Sequence, residues 1–480
     1  MRNSSGPGAK AVAASTLFDK LWASHLVRDI DAVTGLIAVD RILLHERTGG
    51  IALKSLAEDG RAVRDPARVF VTMDHVVDTL PGRGDDTIMP TGKQFIVETR
   101  AAAQAAGVTL FDLGDLRQGI VHVISPEQAI VLPGLTLVCP DSHTCTQGAL
   151  GALAWGIGSS EAEHALATNT LRITRPANMR ITIDGTLRNG VSAKDLALHI
   201  VATIGAAGAR GFMLEYAGEA VRDLDVEARM TLCNMATELG AFSAIIAPDD
   251  KVIAYLRGRP YAPAGEDWSQ ALASWGALYS DPDAVFDREV RIDAAAVGPM
   301  VSWGTSPHQS VTAGTHVPAA ADDSDKRARD YMDIGSAGSV TGLAIDAAFI
   351  GSCTNARLSD LRIVAGLLAG RQVAQGVRAI CVPGSGEVKR AAEAEGIDKV
   401  LIAAGFEWRE PGCSMCFFAG GESFGAGQRV ISSTNRNFEN RQGQRTRTHI
   451  AAPATVAASA VLGRIALPDE LATIVSEAVA

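Results

Sequence analysis

The sequence predicts an α/β protein built from mainly parallel sheets with helices packed against them. Short apolar runs rich in β-branched residues alternate with stretches of helical periodicity along most of the chain. Polar clusters directly follow several of these runs, which is typical of strand ends that hold a ligand in a doubly wound sheet. A chain of 480 residues with 47% hydrophobic content is long enough for two to four domains.

We expect three α/β/α domains. Residues 1–14 favour a flexible N-terminal tail, residues 15–175 a first domain and residues 176–317 a second. Residues 318–330 are rich in alanine and aspartate, which indicates a surface linker. Residues 331–480 then form the third domain.

Elements of the first domain follow from the spacing of its apolar residues. We expect strands over residues 69–73 and 135–139, and helices over residues 91–106 and 161–168. Gly107 ends the first of these helices. The glycines before the second helix lack the complete dinucleotide-binding pattern, so they predict a strand-to-helix turn instead.

The later domains continue this alternation. A strand over residues 179–184 precedes a helix whose start is marked by Ser192 and Asp195, a capping box. A strand over residues 347–352 opens the third domain. Farther on, Pro383-Gly384-Ser385-Gly386 lacks the full phosphate-loop pattern and predicts another strand-to-helix turn.

Composition and charge narrow the partners and the compartment. A net charge of −10 and a pI near 5.5 argue against nucleic acid or an anionic membrane as a partner. No apolar run approaches the length that spans a bilayer. Seven cysteines in a large chain do not indicate a disulfide framework, so we expect a reducing compartment, most simply the cytoplasm.

Three cysteines form the most informative pattern in the chain. Cys413 and Cys416 have the Cys-x-x-Cys spacing that lets two sulfurs reach one inorganic centre from a tight turn, and Cys353 can contribute a third. Three thiolates are one fewer than a four-iron cluster takes when cysteine saturates it. One iron would therefore stay open to water or substrate and act as a Lewis acid.

Two other uses of these cysteines stay open. A redox dithiol would need a strand before Cys413 and a helix opening at it, whereas Pro411-Gly412 precede it. A zinc site could combine the three cysteines with a histidine such as His449. The remaining cysteines lie in apolar runs or lack a partner at ligand spacing, and we expect buried structural roles for Cys139, Cys145, Cys233 and Cys381.

Histidines next to carboxylates follow the predicted strands. Asp74 precedes His75, Asp141-Ser142-His143 follows the strand over residues 135–139, and His122 lies between these motifs. A neighbouring carboxylate fixes the tautomer of a histidine and can hold a proton ready for a leaving hydroxyl group.

A second polar motif lies near the C-terminus. It reads Asn435-Arg436-Asn437-Phe438-Glu439-Asn440-Arg441 and contains two arginines five positions apart. Guanidinium groups bind carboxylates through two parallel hydrogen bonds, so this motif indicates recognition of an acidic substrate.

Six motifs stand in a fixed order along the chain: Thr72-Met73-Asp74-His75, Gly119-Ile120-Val121-His122, Asp141-Ser142-His143-Thr144, Ile350-Gly351-Ser352-Cys353-Thr354-Asn355, Pro411-Gly412-Cys413-Ser414-Met415-Cys416 and Asn435-Arg436-Asn437-Phe438. Together they resemble the aconitase and 3-isopropylmalate dehydratase family of iron–sulfur hydro-lyases, most closely its large subunits. The resemblance covers nearly all of residues 16–468. It implies an aconitase-like core of three α/β/α domains without the family's swivel domain.

The resemblance also implies a site. It implies one 4Fe-4S cluster per chain with one iron not ligated by cysteine, held by Cys353, Cys413 and Cys416. It implies three carboxylate–imidazole pairs as acid–base groups: Asp74 with His75, Asp141 with His122, and Glu215 with His143. It implies a set of residues that bind substrate carboxylates: Ser142, Asn435, Arg436 and Arg441.

For function, the resemblance implies the large subunit of a hydro-lyase that acts on a 2-hydroxy diacid of the malate type. The nearest reaction is the interconversion of 3-isopropylmalate and 2-isopropylmalate in leucine biosynthesis. In the family, a serine on a mobile fourth domain takes the proton. Only 15 residues follow Ile465, so we expect a separate small subunit that supplies this base, in a heterodimer or a higher assembly.

The chain departs from the family pattern in several stretches, and two of them adjoin the motifs above. Where isopropylmalate dehydratases usually read His-Glu-Val-Thr-Ser-Pro-Gln, this chain reads His45-Glu46-Arg47-Thr48-Gly49-Gly50-Ile51. The customary Leu-Ala-Met-Asn is Phe417-Phe418-Ala419-Gly420. These departures leave open a paralogue for another substituted malate, of the citramalate, dimethylmalate or homoaconitate type. An iron-sensing relative that binds RNA is the alternative from another class, and the charge of −10 argues against it.

Overall fold

The computed structural model describes residues 14–335, 338–417 and 421–471. It contains three parallel sheets, and each lies within one of the three predicted domain ranges. The predicted α/β fold with mainly parallel sheets is therefore confirmed, while the domain boundaries stay predictions. The predicted flexible tail lies outside the described residues except for Ala14.

The first region forms a five-stranded parallel sheet in the order β5-β4-β3-β6-β7 and a three-stranded antiparallel sheet in the order β1-β2-β8. Its helices and strands are α1 (Leu17–His25), β1 (Leu26–Asp29), β2 (Thr34–Ala38), β3 (Arg41–His45), α2 (Gly49–Glu58), β4 (Val69–Thr72), α3 (Gly92–Ala106), β5 (Thr109–Phe111), α4 (Val121–Glu127), β6 (Thr136–Cys139), β7 (Leu153–Gly156), α5 (Ser159–Thr168) and β8 (Thr170–Thr174).

The second region forms a four-stranded parallel sheet in the order β11-β10-β9-β12, followed by an antiparallel ribbon of β13 and β14. Its helices and strands are β9 (Ala177–Asp184), α6 (Ala193–Ile204), β10 (Phe212–Ala217), α7 (Glu219–Asp223), α8 (Val226–Asn234), β11 (Ser243–Ile245), α9 (Asp250–Leu256), α10 (Gly265–Trp275), β12 (Arg288–Asp293), β13 (Met300–Ser302) and β14 (Ser310–Thr312).

The third region forms a five-stranded parallel sheet in the order β17-β16-β15-β18-β19. Its helices and strands are α11 (Asp323–Met332), β15 (Ala347–Ile350), α12 (Leu358–Leu368), β16 (Arg378–Cys381), α13 (Gly386–Ala394), α14 (Ile397–Ala404), β17 (Phe406–Trp408), β18 (Arg429–Ser432), β19 (Arg447–Ile450) and α15 (Pro453–Leu462). Short 3-10 helices connect elements in all three regions: Pro66–Arg68, Ser142–Leu150, Met235–Leu239, Ala294–Ala296 and Ser414–Cys416.

Local signals in the sequence marked several element ends correctly. The predicted helix over residues 91–106 is α3, which ends at Gly107 in the left-handed conformation (φ 67°). The capping box at α6 is confirmed, because Ser192 and Asp195 each accept the other's backbone N–H through their side chains. The predicted turn before α13 is also confirmed, with the Ser385 side chain capping that helix.

The predicted linker over residues 318–330 is helical in its second half. Residues 323–332 form α11, which begins where the Asp322 carboxylate accepts the Asp325 backbone N–H. Ala328 and Met332 are buried on its inner face. The stretch is polar because the rest of the helix faces solvent, and its composition alone could not show that one face packs against the protein.

The first sheet is covered on both faces. Alternate residues of β3 enter different hydrophobic clusters, with Ile42 and Leu44 in one and Leu43 in the other. On β4, Val71 lies in the same cluster as Ile42 and Leu44, and Phe70 lies in the same cluster as Leu43. Neighbouring side chains of a strand point to opposite faces, so continuous apolar runs predict a sheet buried on both sides, as observed.

Both five-stranded sheets share one topology. Numbered along the chain, the five strands of each sheet lie side by side in the order 3-2-1-4-5. The order therefore reverses between β3 and β6 in the first sheet, and between β15 and β18 in the other. Crevices at the carboxyl ends of such neighbouring strands are where doubly wound sheets bind ligands. The polar motifs Asp141-Ser142-His143-Thr144 and Ser352-Cys353-Thr354-Asn355 follow β6 and β15, which hold different positions in their sheets.

No helix in the described parts of the chain combines the length and hydropathy that crossing a bilayer requires.

A buried lysine joins the second region to the third. Lys194 in α6 is 1% exposed, and its Nζ donates to the carbonyl oxygens of Ser433 (2.8 Å) and Thr434 (2.7 Å). These carbonyls directly follow β18. A buried ammonium group is costly unless hydrogen bonds satisfy it, so this contact ties the loop after β18 to the helix.

We expect Lys194→Met to lower the free energy of unfolding by about 3 kcal/mol, because two buried carbonyls lose a charged donor. Lys251→Met is the matched control. Lys251 also donates to three backbone carbonyls, but it is exposed, so water can replace it and the change should stay within about 0.5 kcal/mol. Urea-induced unfolding followed by circular dichroism measures both, and equal midpoints for the two variants would contradict the role of Lys194.

Candidate active site

Strand ends of the first and third sheets face one cavity of about 230 Å³. Its walls carry three cysteines, four histidines and three arginines: Cys353, Cys413, Cys416, His45, His75, His122, His143, Arg47, Arg436 and Arg441. A larger groove of about 720 Å³ lies between α2 and α3, and alanines and alkyl side chains form most of its walls. The smaller cavity is therefore the candidate site, since it holds the groups that can do chemistry.

Hydrogen-bond donors surround two of the cysteine sulfurs. The side-chain amides of Asn234 and Asn435 donate to Cys353 Sγ over 3.2 and 3.4 Å. The hydroxyl oxygen of Ser352 lies 3.3 Å from Cys416 Sγ. Donors directed at sulfur stabilise negative charge there, which is the arrangement that thiolate ligands of a metal require.

Burial makes these cysteines unsuitable as free thiolates. Each is at most 7% exposed. Burial raises the pKa of the Cys353 thiol to about 12 and raises the pKa of Cys413 well above its ordinary value. A soft cation such as iron must displace these protons, because the protein environment alone does not. Three converging buried sulfurs with amide donors therefore fit an iron–sulfur centre.

The backbone beside the cysteines is strained. Ser352 (φ 84°) and Ser414 (φ 46°) adopt the left-handed conformation that residues with a side chain rarely adopt. Such residues cost about 1 kcal/mol or more each and cluster where a fold must present a ligand. Both serines adjoin a cysteine of the cavity.

The two alternative uses of the cysteines are not supported. His449 lies between Ser302 and Arg429, with its Nδ1 2.7 Å from the Ser302 carbonyl oxygen and its Nε2 2.9 Å from Arg429 Nη1. It is therefore not in place to complete a zinc site. Cys413 opens no α-helix and precedes only a 3-10 turn over Ser414–Cys416, so the helix of a redox dithiol is missing there.

Asp141 is the central carboxylate of the cavity. Its Oδ1 lies 2.7 Å from His122 Nε2, its Oδ2 lies 3.3 Å from His75 Nε2, and its Oδ1 accepts the backbone N–H of His143 at 2.8 Å. Burial would raise the pKa of Asp141, but the positive field of His122 and hydrogen bonds from the other histidines hold it well below the ordinary value. Asp141 is therefore ionised and orients the imidazoles around it.

Asp74 and His75 form the expected pair. His75 Nδ1 lies 2.5 Å from Asp74 Oδ1, and the other oxygen of Asp74 accepts the backbone N–H of Val121 at 2.8 Å. Burial favours the neutral ring, but the negative charge of Asp74 outweighs it and the pKa of His75 lies well above its ordinary value. His75 is therefore an imidazolium, protonated on both ring nitrogens, at neutral pH.

Glu46 is a buried residue beside the site that the sequence patterns did not indicate. Its buried carboxylate accepts the backbone N–H groups of Asp74 (3.0 Å), His75 (2.7 Å) and Val76, which fixes the loop after β4. Side-chain ligand atoms of His45, Glu46, Asp74 and His75 lie within 4.8 Å of one another. Because backbone donors and His75 already occupy these carboxylates, we read the group as a positioning network rather than a metal site.

The expected pairing of Glu215 with His143 was wrong. His143 Nε2 lies 3.1 Å from Glu238 Oε1, whereas Glu215 sits in β10 and accepts the Ser280 hydroxyl at 2.5 Å. Glu238 lies in the 3-10 helix Met235–Leu239. It does not follow a strand, so the strand-end pattern that marked the other site residues could not mark it.

The predicted carboxylate-binding residues have different surroundings. Arg436 is engaged on both sides, donating from Nε to Glu238 (2.8 Å) and from Nη1 to Ser142 (2.9 Å). Arg441 places Nη2 3.7 Å from Cys416 Sγ, and its buried Nε has no hydrogen-bond partner within the described ranges. Asn435 contacts Cys353 and does not line the cavity. Arg441 is thus the group best placed to receive an anion.

Known proteins resemble this chain over almost its whole length. The profile of the aconitase family (aconitate hydratase) matches residues 19–463. The 3-isopropylmalate dehydratase large subunit 1 of Bradyrhizobium diazoefficiens is 49% identical over 458 residues, which are 94% of this chain and 96% of that protein. Among solved structures, the holo-form of aconitase X from Thermococcus kodakaraensis aligns with 13% identity and a TM-score of 0.46, over 88% of each chain.

Proposed function

The chain belongs to the aconitase family, and on that premise we propose that it is the large, catalytic subunit of an iron–sulfur hydro-lyase of the 3-isopropylmalate dehydratase type. Its reaction interconverts 3-isopropylmalate and 2-isopropylmalate by loss and re-addition of water, a step of leucine biosynthesis. The observation that carries this proposal is a single cavity in which three buried cysteines face three histidines paired with carboxylates.

Membership in this family implies an iron–sulfur cluster. We propose a 4Fe-4S cluster, one per chain, on Cys353, Cys413 and Cys416, with one iron not ligated by cysteine. When bound, that iron acts as a Lewis acid toward the hydroxyl group and a carboxylate of the substrate. The amide donors of Asn234 and Asn435 support this assignment, since they face a sulfur that would carry negative charge.

His75 is the proton donor for the leaving hydroxyl group. Hydroxide leaves readily only when it is protonated, and His75 lines the cavity and holds a proton next to Asp74. His122, held by Asp141, and His143 line the same cavity. These two imidazoles orient the water that is added back at the neighbouring carbon.

Arginines and a hydroxyl group bind the carboxylates of the substrate. Negative charge builds on a carboxylate as the proton beside it is removed, and fixed donors stabilise that charge in the transition state. Arg436 is held in one orientation by Glu238 and Ser142, and Arg441 has a buried Nε directed to no partner among the described residues. Both line the cavity.

The base that takes the carbon-bound proton comes from a separate small subunit. The Bradyrhizobium relative is named a large subunit, which implies such a partner. His45 is a poor substitute, because burial, together with the charge of His75, lowers its pKa to about 4. We propose a heterodimer or a higher assembly in which the small subunit also closes the substrate pocket.

We propose the cytoplasm as the compartment. All seven cysteines are described, buried and free of disulfides, which fits a reducing environment. The net charge of −10 argues against nucleic acid or an anionic membrane as a partner of this chain.

Combined with its small subunit and reconstituted anaerobically with iron and sulfide, the chain is expected to interconvert the two isopropylmalates, as followed by proton NMR. The reconstituted chain alone should give no turnover, because the base is missing. Citramalate, dimethylmalate and homocitrate, tested beside 3-isopropylmalate, identify the preferred substituted malate. Full turnover without the partner would refute the two-subunit assignment, and inertness of the complex toward all four acids would refute the reaction class.

Glu238→Gln should lower kcat about 100-fold, because His143 loses the carboxylate that orients it and fixes its proton. Glu215→Gln is the matched control, since it makes the same change on a glutamate bonded to Ser280, and kcat should stay within about twofold. Steady-state kinetics of the two complexes measures both values. A large loss of kcat in Glu215→Gln, without one in Glu238→Gln, would instead support the pairing of Glu215 with His143.

A further inference from the structure

Two guanidinium groups pack on one aromatic ring in the cavity wall. The Cζ atoms of Arg47 and Arg441 each lie 4.8 Å from the centroid of the Phe417 ring. A guanidinium group held on an aromatic face by cation–π attraction keeps its N–H groups in a restricted orientation. All three residues line the candidate site.

Arg47 and Phe417 are also two of the positions at which the sequence departs from the family pattern. Arg47 stands where the pattern has valine, and Phe417 where it has leucine. Although they lie far apart in the chain, they meet in the same wall of the cavity. Two departures that contact each other at the site indicate a change in what the site binds.

Among the described residues, the negative charge that acts on the Arg47 guanidinium is that of Glu46. Within residues 14–335, 338–417 and 421–471 its guanidinium makes no hydrogen bond or ion pair. The adjacent Glu46 is occupied by the backbone N–H groups of Asp74 and His75. Arg441, which shares the ring, carries the same sign of charge. An anion that joins a partly buried cation next to a like charge stabilises it further.

Arg436 and Arg441 differ in how much of their positive charge is already compensated. Arg436 is already paired with Glu238 and with the Ser142 hydroxyl. Arg441 contacts Cys416 Sγ and retains one buried N–H without a partner in the described chain. The uncompensated positive charge of the cavity therefore lies on the Phe417 side, between Arg47 and Arg441.

We propose that Arg47 binds a carboxylate of the substrate and is a specificity-determining residue of this chain. The proposal rests on the hydro-lyase function above. The carboxylate is either one of the two that every malate-type acid carries or a third one on the substituent. In both cases the Phe417 side of the cavity receives an anionic group, whereas valine and leucine at these positions would receive an alkyl group.

The test uses the complete complex carrying Arg47→Gln. Arg61→Gln is the matched control, because it removes the same charge from an exposed residue just beyond α2 and outside the cavity. KM and kcat are measured on the preferred substrate. Calorimetry gives Kd for malate, its two monoamides and citrate, so that binding is tested independently of turnover.

Arg47→Gln should raise KM and Kd for the bound diacid about 10-fold to 100-fold, with a much smaller change in kcat. Each monoamide of malate has a neutral amide in place of one carboxylate. The monoamide that lacks the carboxylate contacted by Arg47 should bind the variant and the wild type equally. A loss seen for citrate alone would instead assign Arg47 to a third carboxylate. Arg61→Gln should behave as wild type.

Unchanged Kd values in Arg47→Gln would overturn the proposal. An equal loss of affinity for malate and for both monoamides would also overturn it, because it would show that Arg47 has a structural role. If the wild-type complex turned over none of the acids, the proposed function would fail, while the calorimetric comparison would still decide whether Arg47 binds a carboxylate.

Discussion

The site depends on a backbone hydrogen bond between loops of two different sheets. The N–H of Cys413, after β17, donates to the carbonyl oxygen of Asp74, after β4, over 2.8 Å. Gly412 packs closely here, since a Cβ there would lie 3.0 Å from the Thr79 side chain, which would have to shift slightly. This contact sets a cysteine beside the Asp74–His75 pair, so the inorganic centre and the proton donor reach the same cavity.

Around that junction, buried charges are arranged to offset one another. Asp141 is ionised because histidines surround it, and His75 is protonated because carboxylates adjoin it. Removing one member of such a network leaves an uncompensated charge in a poorly solvated place, which costs more than the intact pair contributes. The network therefore holds the imidazoles in fixed orientations before any substrate binds.

Residues that follow strands could be predicted from the sequence, and residues placed by tertiary packing could not. Cys353, Asp74 and Asp141 follow β15, β4 and β6, where parallel sheets bind ligands, and the structure brings them together. Glu238 comes from a 3-10 helix whose position depends on how α8 packs. Only the three-dimensional contacts separate it from Glu215, the glutamate to which the family resemblance assigned the same role. Phe418-Ala419-Gly420, which follow Phe417 and depart from the family pattern, lie outside the described residues.

The proposed mechanism requires three cysteines that hold a four-iron cluster and leave one iron for the substrate. Mössbauer spectroscopy on the anaerobically reconstituted complex, with and without the hydroxy diacid, tests it most directly. We predict that one iron in four changes its spectrum when the diacid is added, because it alone lacks a cysteine ligand. A spectrum in which no iron responds to the diacid, or in which no cluster is present, would rule out an iron that is open to substrate.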